Sequence, residues 1–90
     1  MSEADPAPRF RPGVKFRFDA VRQAWIVLAP EKLFLPDEIA VEVLKRIDGE
    51  RSTAAIVDSL AEAFQAPREV IEGDVRGLLA DLVARGAIAL

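Results

Sequence analysis

The side chains in this chain that could move a proton or act as a nucleophile are aspartate, glutamate, lysine, serine and threonine, because histidine, cysteine and tyrosine are all absent. That absence removes the commonest general base, thiolate chemistry, disulfides and the usual zinc ligands together. The carboxylates that stand close together, Asp37 with Glu38 and Glu69 with Glu72, fall in the first turns of helical patterns, where the helix dipole already accounts for them. Glycine builds no phosphate loop: RPG (Arg11–Gly13) and DGE (Asp48–Glu50) are isolated turns, and Gly73 and Gly77 lie inside a helical pattern. No catalytic residue, metal site or cofactor is expected.

What remains is recognition, and the elements that would carry it are set by a change of period between Ala29 and Gly49. Leu33 and Leu35 alternate with Lys32 and Phe34 as in a strand, whereas Ile39, Ala40, Val43, Leu44 and Ile47 follow the spacing of an apolar helix face. Pro36 ends the strand, Asp37 caps the helix and Gly49 stops it. Upstream, Val14, Phe16 and Phe18 alternate with Lys15 and Arg17 in a strand from about Val14 to Asp19. WIVL (Trp25–Leu28) is apolar on both faces and so should be central. Downstream, Ser52 or Thr53 caps a second helix with the face Ala55, Ile56, Leu60, Ala63 and Phe64. A third helix opens at Pro67 and closes at Gly86, with Ile71, Val75, Leu78, Leu79 and Leu82 as its buried stripe. Gly73, Gly77, Ala80 and Ala84 form a small-residue stripe on the opposite side.

The reading is an α+β domain: residues 1–8 a disordered tail, 9–35 a three-stranded antiparallel meander, and 36–90 a three-helix bundle, resembling a winged helix-turn-helix. Ninety residues suffice for one modest core. No apolar run reaches the roughly 20 residues that span a bilayer, so a soluble cytoplasmic protein without a membrane partner is expected.

Charge is divided unevenly. Residues 9–30 carry five bases (Arg9, Arg11, Lys15, Arg17, Arg22) against Asp19 alone, and residues 31–90 carry twelve acids against seven bases. A DNA-binding winged helix is the alternative reading. It would need a basic recognition helix, yet the third helix sets Glu69, Glu72, Asp74 and Asp81 against Arg68, Arg76 and Arg85. The third strand, KLFL, is either an edge protected by Lys32 and Pro36 or a template for an added peptide strand. The composition by itself leaves the protected edge the better of the two. One face of the central strand, Trp25 and Val27 or Ile26 and Leu28, lacks a helical layer unless the arm at Phe10 folds back. Through such an apolar face the free protein is expected to form a homodimer, by sheet pairing or by exchange of N-terminal strands about Pro12-Gly13 and Pro30.

Five segments together resemble the pyrroloquinoline quinone (PQQ) biosynthesis protein D (PqqD) family: RPGVKFRFD (Arg11–Asp19), WIVLAPEKLFL (Trp25–Leu35), VLKRIDG (Val43–Gly49), STAAIVDSL (Ser52–Leu60) and DVRGLLADLVARG (Asp74–Gly86). Their order and spacing over almost the whole chain carry the resemblance. It implies a peptide chaperone rather than an enzyme, a recognition domain of ribosomally made peptide natural products. Such a domain binds the leader of the PQQ precursor peptide and presents it to a radical S-adenosylmethionine enzyme that cross-links a glutamate and a tyrosine. It also implies that the leader adds to the third strand, here Lys32, Leu33, Phe34 and Leu35, in a cleft walled by the third helix. The wall is expected at Glu72, Arg76, Leu79 and Val83. From the residues themselves, the stripe Gly73, Gly77, Ala80, Ala84 is either a close-approach surface for the enzyme or plain solvent-exposed helix. Relatives commonly carry an apolar residue where this chain has Pro36.

Overall fold

The computed structural model describes residues 5–90. Its elements run β1 (Arg9–Phe10), β2 (Lys15–Asp19), β3 (Ala24–Ala29), β4 (Lys32–Phe34), α1 (Glu38–Leu44), α2 (Thr53–Phe64), α3 (Arg68–Ala84) and β5 (Ile88–Ala89). β2, β3 and β4 form the expected antiparallel meander with β3 in the centre. The turn between β2 and β3 is held by Asp19, whose Oδ1 accepts from the amides of Val21 (2.9 Å) and Arg22 (3.2 Å) while Oδ2 accepts from the Arg22 guanidinium (3.0 Å). The register places Phe16 opposite Val27, Phe18 opposite Trp25 and Phe34 opposite Val27, so these five share one face. Phe16 and Phe34 pack against the helical core through it.

Trp25 and Val27 thus face the helices, and Ile26 and Leu28 face away. The apolar exposure expected on that outer face is largely missing, because Ile26 is only 1% exposed. Arg17 is its register partner on β2. The arm does fold back, but onto the inner face: Phe10 stacks on Phe16, which stacks on Trp25, with ring centroids 6.1 and 4.8 Å apart.

The helices begin where their caps require. Asp37 Oδ1 accepts from the Ala40 amide (2.8 Å) and Ser52 Oγ from the Ala55 amide (3.1 Å). Pro67 stands one residue ahead of α3, its carbonyl accepting from Val70 and Ile71. α1 is shorter than expected. After Leu44 it tightens into i to i−3 turns at Arg46 and Ile47 before Gly49 reverses the chain at φ +80°. The core is built from Val43, Leu44, Ile56, Val57, Leu60, Val75, Leu79, Leu82 and Ile88 around Val27. α3 buries its stripe as expected, with Ile71 and Leu78 half-buried at the margin. In α2 the buried face is Thr53, Ile56, Val57 and Leu60; Ala55 and Ala63 are exposed and Phe64 is 48% exposed. Ile39, expected on the core face of α1, is 56% exposed, and Val41 takes its place inside.

Two features depart from the sequence reading. After Gly86 (φ +79°) the chain, read as the close of the three-helix bundle, forms a strand, β5, which pairs antiparallel with β1 (Arg9 with Ala89, Phe10 with Ile88). Residues 5–8, expected in a disordered tail, lie along the start of α2, and residues 1–4 of that tail fall outside the described residues. The Pro6 carbonyl accepts from both the amide and the hydroxyl of Thr53 (3.0 and 3.1 Å), the Pro8 carbonyl from the Gly49 amide (3.2 Å), and the Asp5 carboxylate from the Ala54 amide. Helix α2 leaves its first amides without intrahelical partners, and this strap supplies acceptors for them.

Candidate functional site

The short strand β4 pairs with β3 on one side only and, among the described residues, has no neighbour on the other. Its outer edge therefore presents alternate main-chain donors and acceptors to solvent. Pro36 follows two residues after the strand ends, and its missing N–H fixes how far such an edge can reach. Beside the edge lies an open cleft of about 340 Å³, walled by Leu33, Phe34 and Leu35 on one side and by α3 on the other, with Val27, Ala40 and Leu44 beneath. Leu35 is 64% exposed and Leu33 39%, while Phe34 packs inward on the core. Lys32 is exposed at the far end of the strand.

The wall contributed by α3 is Leu78, Asp81, Leu82 and Arg85. Arg85 donates through Nε to Asp81 Oδ2 (2.9 Å) and holds its guanidinium 5.6 Å from the centroid of the Phe34 ring, a cation-over-ring contact that bridges the two walls. This corrects the expected wall. Glu72 and Arg76 sit on the other flank of α3. There Glu72 accepts from Arg68 (3.1 Å) and Arg76 (2.8 Å), and Arg76 reaches Asp5 of the strap at 3.6 Å. The hydrogen bond from Arg76 is the main cause holding the Glu72 carboxyl below the usual range. Leu79 is core, 2% exposed, and Val83 is 40% exposed outside the cleft.

The reason is geometric. A helical stripe has two flanks, and a 3.6-residue period locates the stripe without saying which flank meets the sheet. One signal was present: Arg68, Glu72 and Arg76 follow each other at i, i+4, i+8, the spacing of a solvated ion-pair ladder. The opposite flank, with Leu78 and Leu82, was the better choice. Gly73, Gly77, Ala80 and Ala84 are all exposed, and a methyl group built at either glycine would meet nothing within 4 Å. The small-residue stripe is accordingly bare helix surface opposite the core.

Electrostatically the third helix is a poor nucleic-acid ligand. Arg68 is paired with Asp58 and Glu72, Arg76 with Glu72 and Asp5, and Arg85 with Asp81. Each of its arginines is already engaged by a carboxylate, where phosphate binding needs cations to spare. No helix among the described residues is long and apolar enough to cross a membrane.

Residues 24–88 match the family model for coenzyme PQQ synthesis protein D (PqqD). The chain belongs to the PqqD family. The matched span runs from β3 to β5 and so includes both walls of the cleft. A PqqA binding protein of Rhodopseudomonas palustris (strain HaA2) is 51% identical over 72 residues, covering 80% of this chain and 71% of that protein. Among solved structures, the PqqD part of Methylobacterium extorquens PqqCD, described as a functional, stand-alone recognition element for ribosomally synthesized and post-translationally modified peptides (RiPPs), superimposes with a TM-score of 0.78. It is 37% identical, over 92% of this chain and 88% of that one. Lasso peptide synthetase B1, solved with its leader peptide, gives a TM-score of 0.79 at 17% identity over 93% of this chain and 99% of that one, a likeness of fold alone. The α+β architecture read from the sequence, a three-stranded antiparallel sheet followed by three helices, matches that of the Methylobacterium extorquens PqqD structure.

Proposed function

We propose that this protein binds the leader of the PqqA precursor peptide by strand addition to the outer edge of β4, in the cleft between β4 and α3, and presents it to the radical S-adenosylmethionine enzyme of PQQ synthesis. The observation that carries this reading is the unpaired edge of β4 facing an apolar-floored cleft. Main-chain pairing supplies affinity that tolerates many sequences, and the side-chain hollows between Leu33, Leu35 and Leu78 select among them. Membership of the family and the names of its relatives support PqqA as the peptide. The protein acts by binding, as a cytoplasmic chaperone. Among the described residues that line the cleft, none is a base or nucleophile poised on another, and the cation there, Arg85, is engaged by Asp81 and the Phe34 ring.

The bare face Gly73–Gly77–Ala80–Ala84 lies on the far side of α3 from the core, so an enzyme docked there would leave the β4 cleft open to the peptide. In the absence of peptide the β4 edge is also a route to a homodimer by sheet pairing, beside strand exchange about Pro12-Gly13 and Pro30.

Calorimetric titration with synthetic PqqA peptide tests the peptide claim. Phe34→Pro removes a main-chain donor from the strand, and Leu35→Glu places a charge on a side chain that is already exposed, so the fold is kept in the second variant whatever happens in the first. Leu35→Glu should weaken binding about tenfold, the scale of one lost apolar contact. Native affinity in Leu35→Glu, together with native affinity in a folded Phe34→Pro protein, contradicts strand addition at β4.

A further inference from the structure

The cleft beside β4 does not stop at Pro36. Two more hollows continue it along the same flank of α3: one of about 310 Å³ between Ile39 and the Asp74–Leu78 turn, and one of about 210 Å³ enclosed by Ile39, Phe64 and Ile71. Each shares residues with the next, Leu78 joining the first to the second and Ile39 with Asp74 the second to the third. Together they make one trough from Arg85 to Ile71, about 21 Å long at the helical rise, a length that an extended chain covers in about six residues.

Ile39 and Phe64 occupy positions where the helical period calls for core residues, yet both are about half exposed, at the lower end of the trough. Two such side chains converging on one apolar hollow mark a surface completed by something else. The charge around them is one-sided. Asp74 lines the lower trough and forms no ion pair among the described residues, Asp37 lines its middle, and Glu38 stands beside Ile39 at an adjoining hollow. The nearby cation, Lys45, is held by Glu42 at 3.5 Å and lies over the Trp25 ring.

We infer that this lower trough is a second subsite for the same bound peptide, taking a large apolar side chain between Ile39 and Phe64 and a lysine or arginine next to it, facing Asp74. The inference rests on the proposed strand addition at β4. Once Pro36 ends the hydrogen-bonding edge, a peptide leaving β4 in that direction has no backbone partner and must be held by its side chains. The trough supplies an apolar seat and an anionic wall in its path. In antiparallel addition, the arrangement of every pair in this sheet, the residues that reach the trough precede those paired with β4. The β4 edge then gives affinity with little selectivity, and the trough decides which peptides are accepted.

The test uses the full chain and synthetic PqqA peptide in calorimetric titration, comparing Ile39→Lys and Asp74→Lys with Leu35→Glu. Ile39 and Asp74 are both exposed, so neither substitution disturbs the core. Ile39→Lys should weaken binding about tenfold. Asp74→Lys should weaken it about threefold at low salt, with the difference fading as ionic strength rises above physiological values. Native affinity in both variants alongside weak binding in Leu35→Glu overturns the second subsite and leaves strand addition standing. Native affinity in all three overturns the strand-addition reading and this inference with it.

Discussion

Removing residues 1–8 should destabilise the domain measurably, although the composition of that stretch marks it as a tail. In the fold, Asp5, Pro6 and Pro8 accept four hydrogen bonds, from the Gly49 amide, the Thr53 amide and hydroxyl, and the Ala54 amide, while Pro8 and Thr53 are buried. At about 1 kcal/mol net for each bond, the gross contribution is about 4 kcal/mol. Ordering four residues takes back about half of that, less than it would for other residues because two are prolines whose φ is set beforehand. A net loss of about 2 kcal/mol is expected. For a domain of this size that is a fall in Tm of about 8–16 °C, or about 2 M in the urea midpoint at an m-value near 1 kcal/mol/M. The chain has one tryptophan, and Trp25 lies in the stack with Phe10 and Phe16, so its fluorescence reports the transition directly. Thr53→Ala, which removes one of the four bonds, should cost about 1 kcal/mol. A truncated protein that melts within a degree of the full chain would refute the idea that the strap stabilises the fold.

Three further outcomes are expected. Gly77→Ala should raise stability by about 0.5–1 kcal/mol, since the glycine lies mid-helix with open space where a methyl group would go; Gly77→Gln should leave peptide affinity unchanged but slow enzymatic cross-linking of the peptide, and normal cross-linking by Gly77→Gln would remove the stripe from consideration as an enzyme surface. Stability should be flat from about pH 5 to 9, because no histidine or cysteine titrates there, and should fall in acid. Asp19 and Asp48 are held low chiefly by the backbone N–H groups of Arg22 and Arg51, and Glu42 and Glu72 by the side chains of Arg46 and Arg76. Groups whose pKa is depressed by folding contribute stability above the unfolded carboxylate range near 4, and that contribution disappears as pH drops through the folded values; a stability change centred near pH 6.5 would contradict this. Light scattering over a concentration series should show association of the free protein that PqqA peptide reverses, because both would use the β4 edge, and association indifferent to peptide would place the contact elsewhere.

The sheet and the order of helices were legible because each rests on a local signal: alternation at Val14–Phe18, an all-apolar WIVL, the proline–aspartate boundary at 36–37 and the long stripe of α3. What was not legible depends on contacts distant in sequence. β1 and β5 are two residues each, too short for any period to appear, and exist only because the two ends of the chain meet. The strap at residues 5–8 lacks large apolar residues and is fixed instead by amides at the start of α2, 45 or more residues away. The β4 strand of the candidate site was read from its own alternation. The opposing wall lies on the flank of α3 that carries Leu78 and Arg85, and the helical period does not distinguish the two flanks, since the choice follows from how α3 packs on α1 and the sheet. Ile39 and Phe64 fall at core positions of the helical period yet are about half exposed, because that period cannot distinguish a residue that is buried from one placed at an unfilled hollow.

The most direct test of the account is amide hydrogen exchange of the protein with and without PqqA peptide, resolved by residue. The three-stranded sheet has two outer edges, β2 and β4, so the comparison carries its own control. Strand addition in the cleft predicts slowed exchange at the outward-facing amides among Lys32 to Leu35, with β2 unchanged. Protection along Lys15–Asp19 while β4 exchanges as in the free protein would contradict it.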